Sequence, residues 1–252
     1  MGEGQHAEAA IGAMKVCALI PAYQEAANIG HVVRGCTPHV AEVLVVDDGS
    51  DDGTAERAEE AGATVIIHKH NAGKGAAIRS GFGHVRGNEF DAVIILDADG
   101  QHDWNEIPRF VERAEETGAA IVLGDRMGDV ADMPALRRWT NRTTSRILGR
   151  LAGQPLHDSQ CGFRLLRTAV LGDLELKTAN YETESEMLLQ ASWAGHRIVA
   201  LPIRTIYNDS PSRIHKARDT WRFIKLVLRA WRERRRWRRR ARKLAREREQ
   251  HP

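Results

Sequence analysis

The chain has 252 residues, an apolar fraction of 42% and a formal net charge of +3, which suits one sizeable α/β domain with a real core and some appendages. Three cysteines, Cys17, Cys36 and Cys161, lack metal-ligand spacing and even pairing, which argues against a zinc site and a disulfide framework and fits a reducing cytoplasm. No stretch reaches the roughly 20 consecutive apolar residues of a membrane-crossing helix, and the Gly-rich, acidic start at 1–10 has no signal-peptide pattern, so neither a spanning nor a secreted protein is expected.

Val16 to Ile20 reads as a first strand that stops at Pro21 and delivers Tyr23 and Glu25, with a helix from about Glu25 to Cys36. Val43 to Val46 is a second strand. It ends in Asp47-Asp48-Gly49-Ser50-Asp51-Asp52-Gly53-Thr54, whose carboxylates suit a ribose or a base and equally suit a polar turn capping a helix over Gly53 to Ala61. After a third strand, Thr64 to Ile67, the segment His70-Asn71-Ala72-Gly73-Lys74-Gly75 opens a helix over Lys74 to His84. It lacks GxxxxGK[ST] spacing, which argues against a nucleoside triphosphatase, while Lys74 remains placed for a nucleotide.

Val93 to Leu96 is a fourth strand, short and wholly apolar, and it runs into Asp97-Ala98-Asp99-Gly100-Gln101-His102. Two carboxylates at i and i+2 beyond a strand end can share one hard divalent cation, Mg2+ or Mn2+, and Gln101 can add an amide oxygen. A helix over Asn105 to Thr117 and a strand at Ala120 to Leu123 continue the alternation. That rhythm predicts an α/β fold with a mostly parallel central sheet and ligands beyond the carboxyl ends of its strands.

After Leu123 come a loop to Asp132, an Arg-rich helix over Pro134 to Leu151, a loop over Gln154 to Gly162, a helix over Tyr181 to Ala194 and a strand over Arg197 to Leu201. We divide the chain into a flexible 1–13, one catalytic domain over 14–215 and a basic amphipathic helix or tail over 216–252. Residues 222–252 carry 14 Lys/Arg against Glu233, Glu247 and Glu249, leaving 23 basic and 31 acidic side chains in the other 221. In this tail Phe223, Val227, Ala230, Trp237, Ala241 and Leu244 fall near one stripe, interrupted by Arg234.

Taken in order, IPAYQEAANI, VVDDGSDDGT, HNAGKGAAIRSG, ILDADGQHD, GDR, DSQCGFRLL and YETESEMLLQASWAG resemble the family 2 glycosyltransferases over about residues 14–225. The similarity is to the polyprenyl-phosphate sugar synthases typified by dolichyl-phosphate mannosyltransferase. The resemblance implies a three-layer GT-A fold and inverting transfer of a sugar from a nucleotide diphosphate to an acceptor. It implies that Pro21, Ala22, Tyr23 and Glu25 line the nucleotide pocket, with Asp48 near the base, and that Asp97, Asp99 and Gln101 hold the metal on the sugar diphosphate, Ala98 lying between the two aspartates. Arg126, in a GDR where the family usually has GSR, and Arg137, three residues after Pro134, resemble acceptor-phosphate ligands. Asp158, Gly162, Phe163 and Arg164 match a D...SGFR segment in which Cys161 replaces the usual Ser.

A phosphate monoester acceptor is largely dianionic at neutral pH and needs no base; a hydroxyl acceptor needs one, for which Asp158, Glu182 or Glu184 is available. The partners expected are therefore a nucleotide diphosphate sugar, a polyprenyl phosphate and an anionic membrane surface met by the C-terminal helix, with a membrane-protein partner also allowed and no nucleic acid. The expected location is the cytoplasmic membrane face, peripherally. Rival readings are a family 2 enzyme acting on a glycan or soluble hydroxyl, and a nucleotide-sugar-binding or nucleic-acid-binding pseudoenzyme. Mannose, glucose and N-acetylglucosamine are not distinguished by the sequence.

Overall fold

A computed structural model describes residues 14–128, 135–204 and 221–234. The expected strands form with ends within two residues of the apolar runs: β1 (Val16–Ala22), β2 (Glu42–Asp47), β3 (Thr64–Ile67), β4 (Ala92–Ile95) and β5 (Ile121–Asp125). Between them lie α1 (Ile29–Cys36), α2 (Thr54–Glu60), α3 (Lys74–Arg86) and α4 (Ile107–Thr117). The helix expected from Glu25 starts later, because Asn28 N and Ile29 N both donate to Glu25 O at 2.9 Å and make a turn there. Further along come α5 (Ala135–Ala152), β6 (Arg164–Arg167), α6 (Thr168–Leu171), α7 (Glu182–Trp193) and β7 (Ile198–Pro202), followed by a helix over 221–234, here α8.

Pro21 does not end the first strand, contrary to expectation; β1 continues to Ala22 in register with Asp47. Leu19 O accepts from Leu96 N on the β4 side, and Ala22 O accepts from Asp48 N on the β2 side. Alternation therefore turns Pro21 toward β4, whose pairing with β1 has already stopped at Leu19. The missing N–H of the proline deprives no ladder of a bond.

The seven strands lie in the order β3-β2-β1-β4-β6-β5-β7. β1 to β4 are mutually parallel where they pair, and β7 is parallel to β5. β6 was not anticipated, and it runs antiparallel to both β4 and β5, so the sheet is mixed. Its sequence, Arg-Leu-Leu-Arg, conceals a central strand because both arginines find carbonyl partners inside the fold. Arg164, fully buried, donates from Nη1 to Glu184 O at 3.1 Å and from Nη2 to Cys161 O; Arg167 donates to Ala119 O and Ala114 O. A buried cation needs such partners.

α1 and α2 adjoin one another, while α3 lies against β1 and β2 and meets α6 and α7. Right-handed crossovers explain this: β1 to β3 steps outward along the sheet and β3 to β4 returns, so the two sets of helices cover opposite faces. The chain reverses direction between β1 and β4. A crevice opens at such a reversal beyond the carboxyl ends of the strands.

α7 is buried along almost its whole length, from Thr183 to Ala191. α5 packs on it, with Trp193 Nε1 donating to Leu151 O at 2.9 Å. α8 is joined to it by Arg229 Nη2, 2.7 Å from Glu186 Oε1. The stripe expected on this helix is its inner face: Ala230 and, alongside, Leu226 are buried, while Phe223 and Val227 pack partly against the core. Trp237, Ala241 and Leu244 lie outside the described residues, as do 1–13 and the boundary at 215–216.

Candidate active site

The ends of β1, β2 and β4 meet at the chain reversal, and each delivers its motif there. After β1, Gln24 has φ 56°, the only positive value for a non-glycine among the described residues. This turn is clasped by the loop after β2: Gln24 N donates to Ser50 Oγ at 2.9 Å, Glu25 N to Thr54 Oγ1 at 2.9 Å and Ala26 N to Asp52 Oδ2 at 3.0 Å. The polar run after Asp47 thus shapes the β1 loop as well as opening α2. Pro21 and Ala22 are buried beneath it, and Tyr23 is exposed at its surface.

Asp48 is turned into the protein. Its carboxylate accepts from Gly73 N at 2.7 Å and Ala72 N at 3.0 Å, and lies 2.7 Å from His68 Nδ1. The residue expected near the nucleotide base therefore anchors the loop that carries Lys74. The glycines flanking Lys74 answer a packing demand: Gly73 has φ 96°, and a Cβ at Gly73 or Gly75 would overlap Ala179 O or Thr183 Oγ1 respectively. Gly75 N donates to Ala179 O at 2.8 Å, which ties the start of α3 to the approach to α7.

Lys74 Nζ bonds Asp97 Oδ1 and lies 2.9 Å from Glu184 Oε1, with the Tyr181 ring 5.8 Å away. Burial opposes the ammonium charge, but the two carboxylates outweigh it and raise its pKa. Burial likewise works against ionised Asp97, yet Lys74 and then His102 hold its carboxyl well below the usual range. His102 Nε2 stands 3.4 Å from Asp97 Oδ2. Gly162 presses on the same carboxylate, since a Cβ there would lie 2.5 Å from Asp97 Oδ2. The Cys161-Gly162-Phe163-Arg164 segment is thereby brought against Asp97.

Asp99 stands two residues on, half-buried, with Oδ1 accepting from Gln101 N at 3.0 Å; Ala98 between them is buried. Among the described residues no three His, Cys, Asp or Glu side chains converge as a closed metal centre. An all-oxygen pair on an open strand end still fits Mg2+ or Mn2+, because such ions take one or two carboxylates and complete their shell with water and phosphate oxygens.

The remaining site residues form a second group. Asp158, wholly buried, takes Arg126 Nε on Oδ2 at 2.7 Å and Nη2 on Oδ1 at 3.0 Å, and also accepts from Asn141 Nδ2 at 2.7 Å. Burial raises its pKa, but Arg126 and Asn141 more than reverse this and hold it low. Its bidentate grip fixes the plane of the guanidinium, whose other N–H groups lie outside that pair. Asp125, the departure in GDR, accepts from Met127 N at 2.9 Å and shapes the turn. Arg137 is in α5, but its side chain lies outside the described residues. Burial pushes the Cys161 thiol up to about 12, so it packs rather than reacts.

Of the acids named for α7, Glu182 is half-buried at the first turn and Glu184 belongs to Lys74. Sequence reasoning gave no role to His68, His102 or Glu186, and it named Arg164 only as part of the D...SGFR segment. Glu186 accepts from Lys177 N and Thr178 N as well as from Arg229. An acid in an apolar helix turn was the available signal for Glu186; for the other three, only spatial neighbours reveal the role.

A family model described as glycosyl transferase family 2 matches residues 17–174. The chain is 32% identical over 200 residues to glycosyltransferase AglJ of Haloferax volcanii, covering 78% of this chain and 64% of that protein. It is 30% identical over 218 residues to a polyprenol monophosphomannose synthase of Mycolicibacterium smegmatis, covering 80% and 81%. The fold is similar to that of a glucosyl-3-phosphoglycerate synthase from Mycobacterium tuberculosis, solved with Mn2+, uridine diphosphate and glucosyl-3-phosphoglycerate. Its TM-score is 0.63 at 21% identity, over 88% of this chain and 80% of that one.

Proposed function

Because the chain belongs to glycosyl transferase family 2, we propose that it transfers a hexose, with inversion, from a nucleotide diphosphate sugar to a polyprenyl phosphate. The observation that carries this reading is the state of its acids. Of the three acids available as a base, Asp158 is saturated by Arg126 and Asn141 and Glu184 is paired with Lys74, so neither is placed to take a proton from a hydroxyl. That leaves Glu182 alone, at the first turn of α7. A nucleophile that arrives already ionised removes the need, and a phosphate monoester does so. The M. smegmatis relative, by its name, acts on a polyprenol phosphate, which supports the same acceptor class.

In this reading, Asp97 and Asp99, with Gln101 beside them, hold Mg2+ or Mn2+, whose charge stabilises the departing nucleoside diphosphate. Lys74 keeps Asp97 ionised and in place. Pro21, Ala22, Tyr23 and Glu25 form the nucleotide wall, and Asp48 supports it from behind by fixing the loop at 72–74. Arg126, aimed by Asp158, and Arg137 at the start of α5 grip the acceptor phosphate and align one oxygen with the anomeric carbon. That oxygen forms the new C–O bond as the bond from the anomeric carbon to the diphosphate breaks, and the diphosphate takes the electron pair.

The catalytic unit is taken as 14–215 and the basic tail as 216–252. No helix among the described residues is long and apolar enough to cross a membrane. A lipid acceptor then calls for peripheral attachment on the cytoplasmic face, through α8 and the basic residues after it, alone or with a membrane-protein partner. A screen of GDP-mannose, UDP-glucose and UDP-N-acetylglucosamine against a polyprenyl phosphate, with and without Mn2+ or Mg2+, tests the reading by product mass. A metal-dependent glycosyl phosphoryl lipid is expected; transfer to soluble hydroxyl acceptors alone overturns the acceptor.

A further inference from the structure

α5 carries Arg138, Arg142, Arg146 and Arg150 at strict four-residue spacing, and its 18 residues include no Asp or Glu. The spacing places the four on one side of the helix, and Trp139, 66% exposed, falls among them, three residues before Arg142 and seven before Arg146. Asn141, Ser145 and Leu148 are buried along the flank of the row next to Arg138, which is itself half-buried, while Arg142, Arg146 and Arg150 are exposed. No ion pair engages these four arginines among the described residues. Like charges stacked at i,i+4 oppose helix formation, so the row does not stabilise the helix itself.

α8 has a matching outer face. Trp221, Ile224, Leu228 and Trp231 are all exposed and recur at intervals of three, four and three, which makes one apolar stripe with a tryptophan at each end. Exposed Lys225 and Arg232 flank it, and Lys225 Nζ lies 5.4 Å from the Trp221 ring. This stripe is opposite the Leu226 and Ala230 side that packs inward. The two helices are neighbours: both pack on α7, where Trp193 bonds Leu151 of α5 and joins Leu226 and Ala230 of α8 in lining a small gap.

We propose that α5 and α8 together form one docking face for an anionic lipid bilayer, α8 inserting its Trp-Ile-Leu-Trp stripe at the headgroup boundary and α5 laying its arginine row on the lipid phosphates. Charge complementarity selects this occupant. A row of arginines on a helix without acids needs anions at many points, and an apolar stripe bounded by tryptophans and cations fits the depth profile of an interface. The proposal deepens the lipid-acceptor reading and rests on it. It gives α5, the helix whose first turn carries the proposed acceptor arginine Arg137, a second role in holding the mouth of the site at the headgroup level.

The test uses the full chain with vesicles of phosphatidylcholine alone or mixed with phosphatidylglycerol, read by co-sedimentation without substrate. Wild type is expected to bind the anionic vesicles and to be released by salt. R142Q/R146Q/R150Q should weaken binding to them roughly 100-fold, at about a factor of five for each arginine neutralised near the charged surface. W221S/L228S/W231S should weaken it on both vesicle types. Circular dichroism of each variant checks folding, and transfer to a short-chain, detergent-soluble polyprenyl phosphate should persist in both, because neither set touches the reacting groups. Full vesicle binding by the folded arginine variant overturns the proposal, as does a wild type that ignores vesicles and binds random single-stranded RNA instead. Failure of the soluble lipid assay in wild type, with vesicle binding intact, refutes the acceptor reading and with it the role of the face at the mouth of the site, whereas loss of vesicle binding with transfer intact refutes the docking face alone.

Discussion

Asp97 sits between an ammonium and an imidazole, with Lys74 on Oδ1 and His102 3.4 Å from Oδ2, whereas Asp99 is fixed by its own turn through Gln101 N. The two carboxylates are therefore held differently: Asp97 is tied to α3 and, through Lys74, to Glu184 of α7, and Asp99 is shaped by the turn that follows it; in the proposed function the pair clamps the metal. Asp97→Asn and Asp99→Asn should each lower transfer by on the order of 100-fold or more and weaken Mn2+ binding measured by electron paramagnetic resonance, with the far-ultraviolet spectrum unchanged. Normal Mn2+ binding by both variants would remove the clamp from the mechanism.

Arg126 and Asp158 are separable by kinetics. Arg126→Ala should raise KM for the lipid phosphate far more than for the nucleotide sugar, and Asp158→Asn should do the same more weakly by loosening the guanidinium. A fall in kcat with both KM values unchanged in Asp158→Asn would instead indicate a proton-transfer role. The pH dependence of stability has a definite sign. The folded-state pKa of Asp158 is depressed, so its contribution is present above the ordinary aspartate value of about 3.9 and is lost as pH falls through the lower folded value. Asp158→Asn should flatten that part of the acid-unfolding profile.

At the scale of elements, the site depends on packing between segments far apart in the chain. α3 begins where Gly73 and Gly75 let the backbone lie against 179–183, and that close approach brings Lys74 to both Asp97 and Glu184. Gly75→Ala should destabilise the fold by about 1–3 kcal/mol, as overpacking does, read from urea denaturation, and should weaken nucleotide-sugar binding with it. Unchanged stability would mean that α7 can retreat from α3 at little cost. β6 illustrates the same dependence: its Leu165 and Leu166 fill the sheet between β4 and β5, but only because Arg164 and Arg167 find carbonyls in α4, α7 and the loops.

Across the whole molecule, charge is distributed by function. Residues 222–252 carry 14 Lys/Arg against three acids, and α5 has five arginines and no acid, while the rest of the chain holds most of the Asp and Glu. On α5 the three i,i+4 arginine pairs each cost about 0.2–0.5 kcal/mol in an isolated helix, a sum small enough for the packed face at Leu148, Leu151 and Ala152 to offset. An anionic bilayer would offset that repulsion by attracting each arginine. The vesicle experiment thus reads a property of the whole surface, while the mutations at Asp97 and Arg126 read the chemistry beneath it.

Much was legible in the residues themselves. Strands β1, β2 and β4 are buried on both faces, so they appear as unbroken apolar runs, and their ends carry the motifs because a strand end at a chain reversal is where polar side chains can meet a ligand. The order of those motifs was enough to indicate the family and the carboxylate pair. Tertiary structure alone decided what each acid is for: Asp48 anchors a loop, Asp158 aims an arginine and Glu184 restrains a lysine, whereas a sequence displays all three only as carboxylates. It also decided which side of α8 faces the core, since both the Phe223–Val227–Ala230 side and the Trp221–Leu228–Trp231 side are apolar at helical spacing. A carboxylate's role is set by the partner within about 3 Å, and a helix face by the surface it meets; neither lies next to it in the chain.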